Sequence, residues 1–171
     1  MGVEVQDIDY GWDRIQKEAT KMRRMYTKVG YFAGEGGSDI ANIAAVQEHG
    51  ADIRVTPKMK GFFLFKFGVS LKKTVIRIPA RPWNRMTFDK YKEKVHKLMV
   101  YEFNRILEGK QTAKSAMSKI GEWYVGKLKE TMTRGNFAPN SGFTVRQKGS
   151  SKPLIDTGTL RNSTTHREFD K

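Results

Sequence analysis

The stretch IRVTPKMKGFFLFKFGVSLKKTVIRIPA (53–80) decides the fold class, because its chemistry is helix-poor throughout. IRVTP, FFLFKFG (62–68) and KKTVIRIPA (72–80) are apolar, β-prone runs separated by prolines and glycines, so two or three strands are expected over 52–79 as a basic β-hairpin region. Alternation along such a strand sets Lys66 on one face and Phe65 and Phe67 on the other. The following ARPW (80–83) keeps the backbone extended or turned, since a residue before proline is pushed out of α geometry.

Helices are expected on both sides of that segment. Ile8, Trp12, Ile15, Ala19, Met22 and Tyr26 recur at spacings of three and four, one apolar stripe of a helix over 8–26. TKVGYFAG (27–34) is β-branched and aromatic and runs into EGG (35–37), a strand followed by a turn. Ser38 is placed to cap a second helix, SDIANIAAVQEHG (38–50), which buries Ile40, Ile43 and Ala44 and stops at Gly50. Beyond ARPW, Phe88, Tyr91, Val95, Leu98, Met99, Phe103, Ile106 and Leu107 share one face of a helix over 84–108. Thr112 caps another, in which Ala113, Ala116, Met117, Ile120, Tyr124, Leu128 and Met132 repeat at helical spacing up to Arg134 and Gly135.

NFAPNSGFTVRQKGSSK (136–152) has no period and reads as a long exposed loop, of a length that usually binds something or orders on assembly. TGTLRNSTTHREF (157–169) then gives one short helical turn and a strand from Ser163 to Phe169. Strands and helices in blocks, without regular βαβ alternation, predict an α+β fold: a small, mostly antiparallel sheet covered on one face by long helices. The C-terminal strand is placed to close that sheet. At 171 residues and 38% hydrophobic, one domain spanning 1–171 is expected.

Composition narrows the chemistry. The absence of cysteine excludes disulfides, thiolate metal sites and cysteine nucleophiles, and His49, His96 and His166 have no metal-ligand spacing. The first residues, MGVEVQDIDYGWD, are acidic and lack a signal-peptide core, and no run approaches the roughly 18 apolar residues of a membrane span, so synthesis and folding in the cytoplasm are expected. Net charge is +14 and uneven: residues 1–50 carry 6 basic and 8 acidic groups, residues 51–171 carry 26 and 10. A basic surface of that size attracts polyanions, and an acidic-leaning end suits a neighbouring subunit's basic face.

PLIDTG (153–158) has the form of an aspartic-protease triplet. That chemistry needs a second carboxylate, a flap and several strands after the triplet, and only 13 residues follow Gly158 in a chain dominated by helices. The segment reads instead as a structural device: Pro153 fixes an extended backbone, Leu154 and Ile155 anchor the loop, and Asp156 or Thr157 caps the short turn that follows. GYFAGEGG (30–37) lacks both the Gly-Lys-Ser/Thr ending of a phosphate loop and a dinucleotide fingerprint. Glu102, Glu108, Glu122 and Glu130 sit beside lysines and arginines as solvated ion pairs. No nucleophile, base and oxyanion donor assemble, so no catalytic residue, cofactor or metal is expected.

The basic residues carry more. Lys58, Lys60, Lys66, Lys72, Lys73, Arg77, Arg81 and Arg85 face Asp52 alone over 51–85 and alternate with aromatics. A hairpin bearing them, or the loop with Arg146, Lys148 and Lys152, suits a phosphate backbone and adds salt dependence without sequence readout. The candidate DNA contacts are Lys66, Lys72, Lys73, Arg146 and Lys148.

Three segments in order resemble one family. VGYFAGEGGSDIANIAAVQEHGA (29–51), IPARPWNRMTFD (78–89) and GNFAPNSGFTVRQKGSSKPLIDTGTLRNSTTHRE (135–168) are similar to the tail-completion or neck proteins of long-tailed bacteriophages, the lambda Z-type tail components. They cover about two fifths of the chain. Trp83 stands where that family usually has phenylalanine, Phe137 where tryptophan is common, and Thr164 where isoleucine or valine usually follows; the region 52–77 is longer and more basic than the family pattern. The resemblance implies a virion structural protein at the neck or tail top, one of six copies in a homo-oligomeric ring (a hexamer) around the DNA channel. Its neighbours would be connector, tail-terminator or tail-tube proteins, and genomic DNA would pass nonspecifically. Arg81, Trp83, Asp156, Thr157, Gly158, Leu160 and Arg161 are the candidate assembly and turn residues. The alternatives are a tail-terminator or virion-morphogenesis assembly factor, and a free-standing nonspecific DNA-binding protein.

Overall fold

The computed structural model describes residues 11–32 and 38–171. The chain is an α+β protein with the order α1 (Trp12–Arg24), β1 (Met25–Gly30), α2 (Ser38–His49), β2 (Ala51–Arg54), α3 (Pro57–Phe67), β3 (Val75–Ile78), α4 (Trp83–Leu107), α5 (Ala113–Arg134), α6 (Gly142–Lys148), α7 (Thr159–Asn162) and β4 (Thr165–Asp170). It divides into two compact units: residues up to Tyr31 with Thr87–Lys129 and Thr164–Lys171, and Phe32–Met86 with Glu130–Ser163. Among the described residues no helix is long and apolar enough to cross a membrane.

The first unit is built on α5. Ala113, Ala116, Met117 and Ile120 form its buried stripe and pack with Met22, Met25 and Ile106. Alanines at two of these positions let neighbouring helices approach closely, and the methionines fill the irregular space that remains. Thr112 caps the helix as expected, its Oγ1 accepting from the Ser115 amide at 3.3 Å, and Glu18 on α1 accepts from the Ala113 amide at 2.7 Å. Both satisfy amides that the first helical turn leaves without a partner. On this unit β1 and β4 pair antiparallel from Met25 opposite Asp170 to Gly30 opposite Thr165. The ribbon lies directly on α5: a Cβ at Gly121 would stand 2.4 Å from the His166 ring and 2.8 Å from the Thr27 methyl.

The second unit holds the other ribbon, β2 with β3, antiparallel from Ala51 opposite Ile78 to Arg54 opposite Val75. The expected single sheet is therefore two separate two-stranded sheets. Between β2 and β3 the expected hairpin gives way to α3, a correction with a local cause. Thr56 accepts from the Met59 amide, Pro57 occupies the first helical turn, and Gly68 takes the left-handed conformation with its amide on Leu64 and Phe63. This is a complete pair of helix stops, and it overrides the β-propensity of the phenylalanines between them. Strand alternation of Phe65, Lys66 and Phe67 goes with it: Phe67 packs on Phe143 at 5.4 Å, and Phe65 points outward.

The long loop is corrected in the same way. Ser141 accepts from the Thr144 amide at 3.1 Å and Gly149 ends the turn, so 142–148 is the helix α6, and Phe143 joins it to Phe63 and Phe67 of α3. Smaller differences follow burial. Ile43 of α2, expected to be buried, is exposed, and so are Phe88, Met99 and Leu107 on the apolar face of α4. Glu102 is buried and bonded by Gln111 at 2.6 Å rather than solvated. The helix start at Ile8 and the EGG turn lie outside the described residues, as does the side chain of Ser38 that was expected to cap α2.

Candidate functional site

Arg81 organises the second unit. It is 4% exposed, and its guanidinium donates to main chain and amides: Nε to the Ala138 carbonyl at 2.9 Å, Nη2 to Asn140 Oδ1 at 3.1 Å and to the Pro139 carbonyl at 3.3 Å, Nη1 to Gln47 Oε1. No carboxylate is among these partners, so burial lowers its pKa from the usual arginine value without making it a base. Its amide donates to the Gln47 carbonyl at 2.7 Å.

In the QEHG run (47–50) Gln47, Glu48 and Gly50 each have a separate task at this place. Glu48 accepts from the Asn84 and Arg85 amides at 3.0 and 3.1 Å, so a carboxylate sits on the positive N-terminus of α4. Gly50 has φ 76, and a Cβ there would stand 2.9 Å from both the Ala80 amide nitrogen and the Ile78 carbonyl. Only glycine allows β2 to leave α2 while passing so close to the ARPW segment. Trp83, also buried, opens α4 directly behind Arg81.

The PLIDTG segment reaches the same unit. Leu154 is buried, as expected, and Gln47, Asn140, Lys148, Leu154, Asp156 and Thr157 line a cavity of about 310 Å³. Lys148 donates to the Lys152 carbonyl at 2.7 Å and the Pro153 carbonyl at 3.3 Å, fixing the loop from within. Burial lowers its pKa, the Asp156 charge raises it, and the Arg81 charge lowers it again. The short turn α7 has no side-chain cap where Asp156 or Thr157 was expected to supply one; Thr157, one residue before the cap position, accepts from the Thr159 amide at 3.3 Å. Asp156 is exposed and makes no hydrogen bond among the described residues. The cap position falls on Gly158, so Asp156 stands too early to reach the second and third helical amides. Leu160 lines the same cavity, whereas the Arg161 guanidinium donates to its neighbour Asn162 Oδ1 at 3.2 Å.

Of the candidate DNA contacts, Lys148 is therefore committed to the loop. Lys66 lies over the Phe62 ring at 5.4 Å on α3, Lys72 and Lys73 are exposed between α3 and β3, and Arg146 is exposed on α6. Around them α3 carries Phe62, Leu64 and Phe65 in the open, Phe65 at 96%.

A second basic feature escaped the sequence reading. On the first unit Lys90, Lys127 and Lys94 stand 5.0, 5.2 and 5.8 Å from the centre of the Tyr91 ring, which meets Trp123 edge-on at 5.9 Å. The spacing of Lys90 and Lys94 by one helical turn was visible; the arrival of Lys127 from α5 was not.

The nearest approach to a nucleophile arrangement is His166, with Ser118 Oγ at 3.3 Å and Glu168 Oε1 at 3.1 Å. Both partners sit on Nε2, so the imidazole cannot relay a proton from the serine to the carboxylate through its two nitrogens. Among the described residues no group of three or more His, Asp or Glu is placed to hold a metal. Comparison of the chain with protein-family models, curated proteins and solved structures found no match.

Proposed function

We propose that this chain is a structural subunit of the neck of a long-tailed phage particle, without catalytic activity, closing with copies of itself into a ring around the DNA channel between head connector and tail tube. The observation that supports the reading is the convergence on Arg81. Gln47, Arg81 and Ala138–Asn140 belong to the three separate segments that resemble the neck proteins, and they are bonded to one another although 34 to 59 residues apart. Segments that carry a resemblance independently have no reason to meet; segments that build one site do. The exposed phenylalanines of α3 agree with a protein that works inside an assembly, because a monomer gains nothing from leaving such a side chain in water.

Electron microscopy of particles from the phage that encodes the chain, with a tag on its C-terminus, tests the reading. Density for several copies at the junction of head and tail is expected, and loss of the chain leaves unjoined heads and tails. Joined, infectious particles made without it overturn the proposal.

A further inference from the structure

Phe65 is 96% exposed on α3. Lys58, two helical turns before it, shares its face, and both Lys58 and Lys60 are exposed without a carboxylate partner among the described residues. Phe143 of α6 packs on Phe63 and Phe67 from behind, so the outward face of α3 is held away from the rest of its unit. The opposite character lies on α2 and the PLIDTG segment of the same unit. Ile43, Leu154 and Leu160 line the cavity of about 310 Å³, roughly twice the ~150 Å³ that lodges a benzene ring. Asp156 is part of that lining, and Asp39 stands one helical turn before Ile43, at its border. Both carboxylates are exposed, and neither makes a hydrogen bond among the described residues. The charge that Asp156 meets is that of Lys148, whose ammonium is turned to the Lys152 and Pro153 carbonyls. The same division runs through the sequence, since residues 29–53 carry no lysine or arginine and residues 53–88 no aspartate or glutamate.

We propose that α3 of one copy docks on this cavity of a second copy, the Phe65 ring entering beside Ile43 and the α3 lysines facing Asp39 and Asp156. The inference rests on the ring reading and names the contact that repeats within it. A knob and a socket on unlike faces of one compact unit make a heterologous contact, which passes from copy to copy and closes where the rotation allows. Pairing of α3 with α3 is disfavoured, because lysines would then meet lysines across the interface. An aromatic side chain seated in a pocket is also where the binding energy of an interface concentrates.

The test is sedimentation velocity of the full chain over about 1 to 100 μM. Self-association of the parent is expected. Phe65→Asp, and separately Asp39→Lys with Asp156→Lys, should each weaken it by at least about thirtyfold. All three positions are exposed, circular dichroism reports whether the fold is kept, and Phe65→Asp alone carries the test if the double variant unfolds. Mixed together, the two variants retain one intact knob and one intact socket, so they should form a dimer and stop there. A parent that stays monomeric throughout overturns the proposal, as do variants that associate like the parent and a mixture that forms no dimer. Binding to phosphatidylserine vesicles that is lost in Phe65→Asp, without self-association, makes α3 a lipid contact and overturns it as well. Rings at the head–tail junction of particles carrying Phe65→Asp would leave the neck reading standing while this contact falls. Joined particles made without the chain remove that reading whatever the purified chain does.

Discussion

Arg81 and Gln47 are joined twice, the backbone amide of one to the carbonyl of the other at 2.7 Å and guanidinium to side-chain oxygen. The side-chain link is one of four that the guanidinium makes, and all four acceptors are neutral. Removing the donor therefore strands several partly buried oxygens at once. Arg81→Ala is expected to destabilise the chain by about 3 kcal/mol, and Arg81→Lys by more than half of that, because an ammonium lacks the planar fork. Urea unfolding followed by tryptophan fluorescence measures both; a lysine variant as stable as the parent would show that charge, and not geometry, holds the site.

At Gly50 even one methyl group is too many. Its left-handed φ and the 2.9 Å approach of Ala80 and Ile78 add strain to a steric clash with backbone that has no side-chain freedom to yield. Gly50→Ala should cost on the order of 2 kcal/mol or more in thermal or urea unfolding. A neutral outcome would mean that α2 and the ARPW segment are free to move apart.

In the PLIDTG segment the hydroxyl matters more than the carboxylate. Thr157→Val, which keeps shape and loses the acceptor on the Thr159 amide, is expected to cost about 0.5 to 1 kcal/mol. Asp156→Asn and Asp156→Ala should both lie within about 0.5 kcal/mol of the parent, since an exposed carboxylate without hydrogen bonds has little to lose. The reverse order in a denaturation series would make the aspartate, and not the hydroxyl, the group that holds the turn.

Lys148 gives the site a pH dependence of known sign. Its folded pKa is lowered by burial, so the unfolded chain holds the proton to higher pH than the folded chain. Between the two values the unfolded state binds more protons, and stability rises with pH through that window. The gain is complete above the ordinary lysine range, near about 10.4, and is lost as pH falls through the lowered folded value. Subtracting the unfolding free energy of Lys148→Met, which does not titrate, from that of the parent between neutral and alkaline pH should give a rising curve. A flat difference would place the ammonium in water.

How much of this was legible depended on whether a signal was periodic or local. The stripe Ala113, Ala116, Met117, Ile120, Tyr124, Leu128 and Met132 repeats over many turns, and all of these residues are buried except Tyr124, which is half-buried. The run FFLFKF has no period, so β-propensity filled the gap, although Thr56, Pro57 and Gly68 spelled both ends of a helix. Ser141 and Gly149 were the same kind of signal, missed for the same reason. Arg81 stood out by its basic surroundings, but its acceptors are carbonyls of Ala138 and Pro139, and main-chain oxygens leave no mark in a sequence. The lysine cluster needed the register of α4 against α5, which spacing along one helix does not contain.

The capped ends of α3 also bear on how the chain survives its own synthesis. FFLFKF is a six-residue window of high β-propensity with one charge, the composition from which cross-β stacks are built. Helical geometry turns Phe63 and Phe67 inward on Phe143, sets Phe62 edge-on to both and leaves Phe65 alone in the open, while Lys58, Lys60 and Lys66 act as gatekeepers around them. Thr56→Ala should therefore reveal itself first as thioflavin-positive aggregates on warming, before any loss of ellipticity from the long helices. The residue that caps one short helix would then be guarding the solubility of the whole molecule.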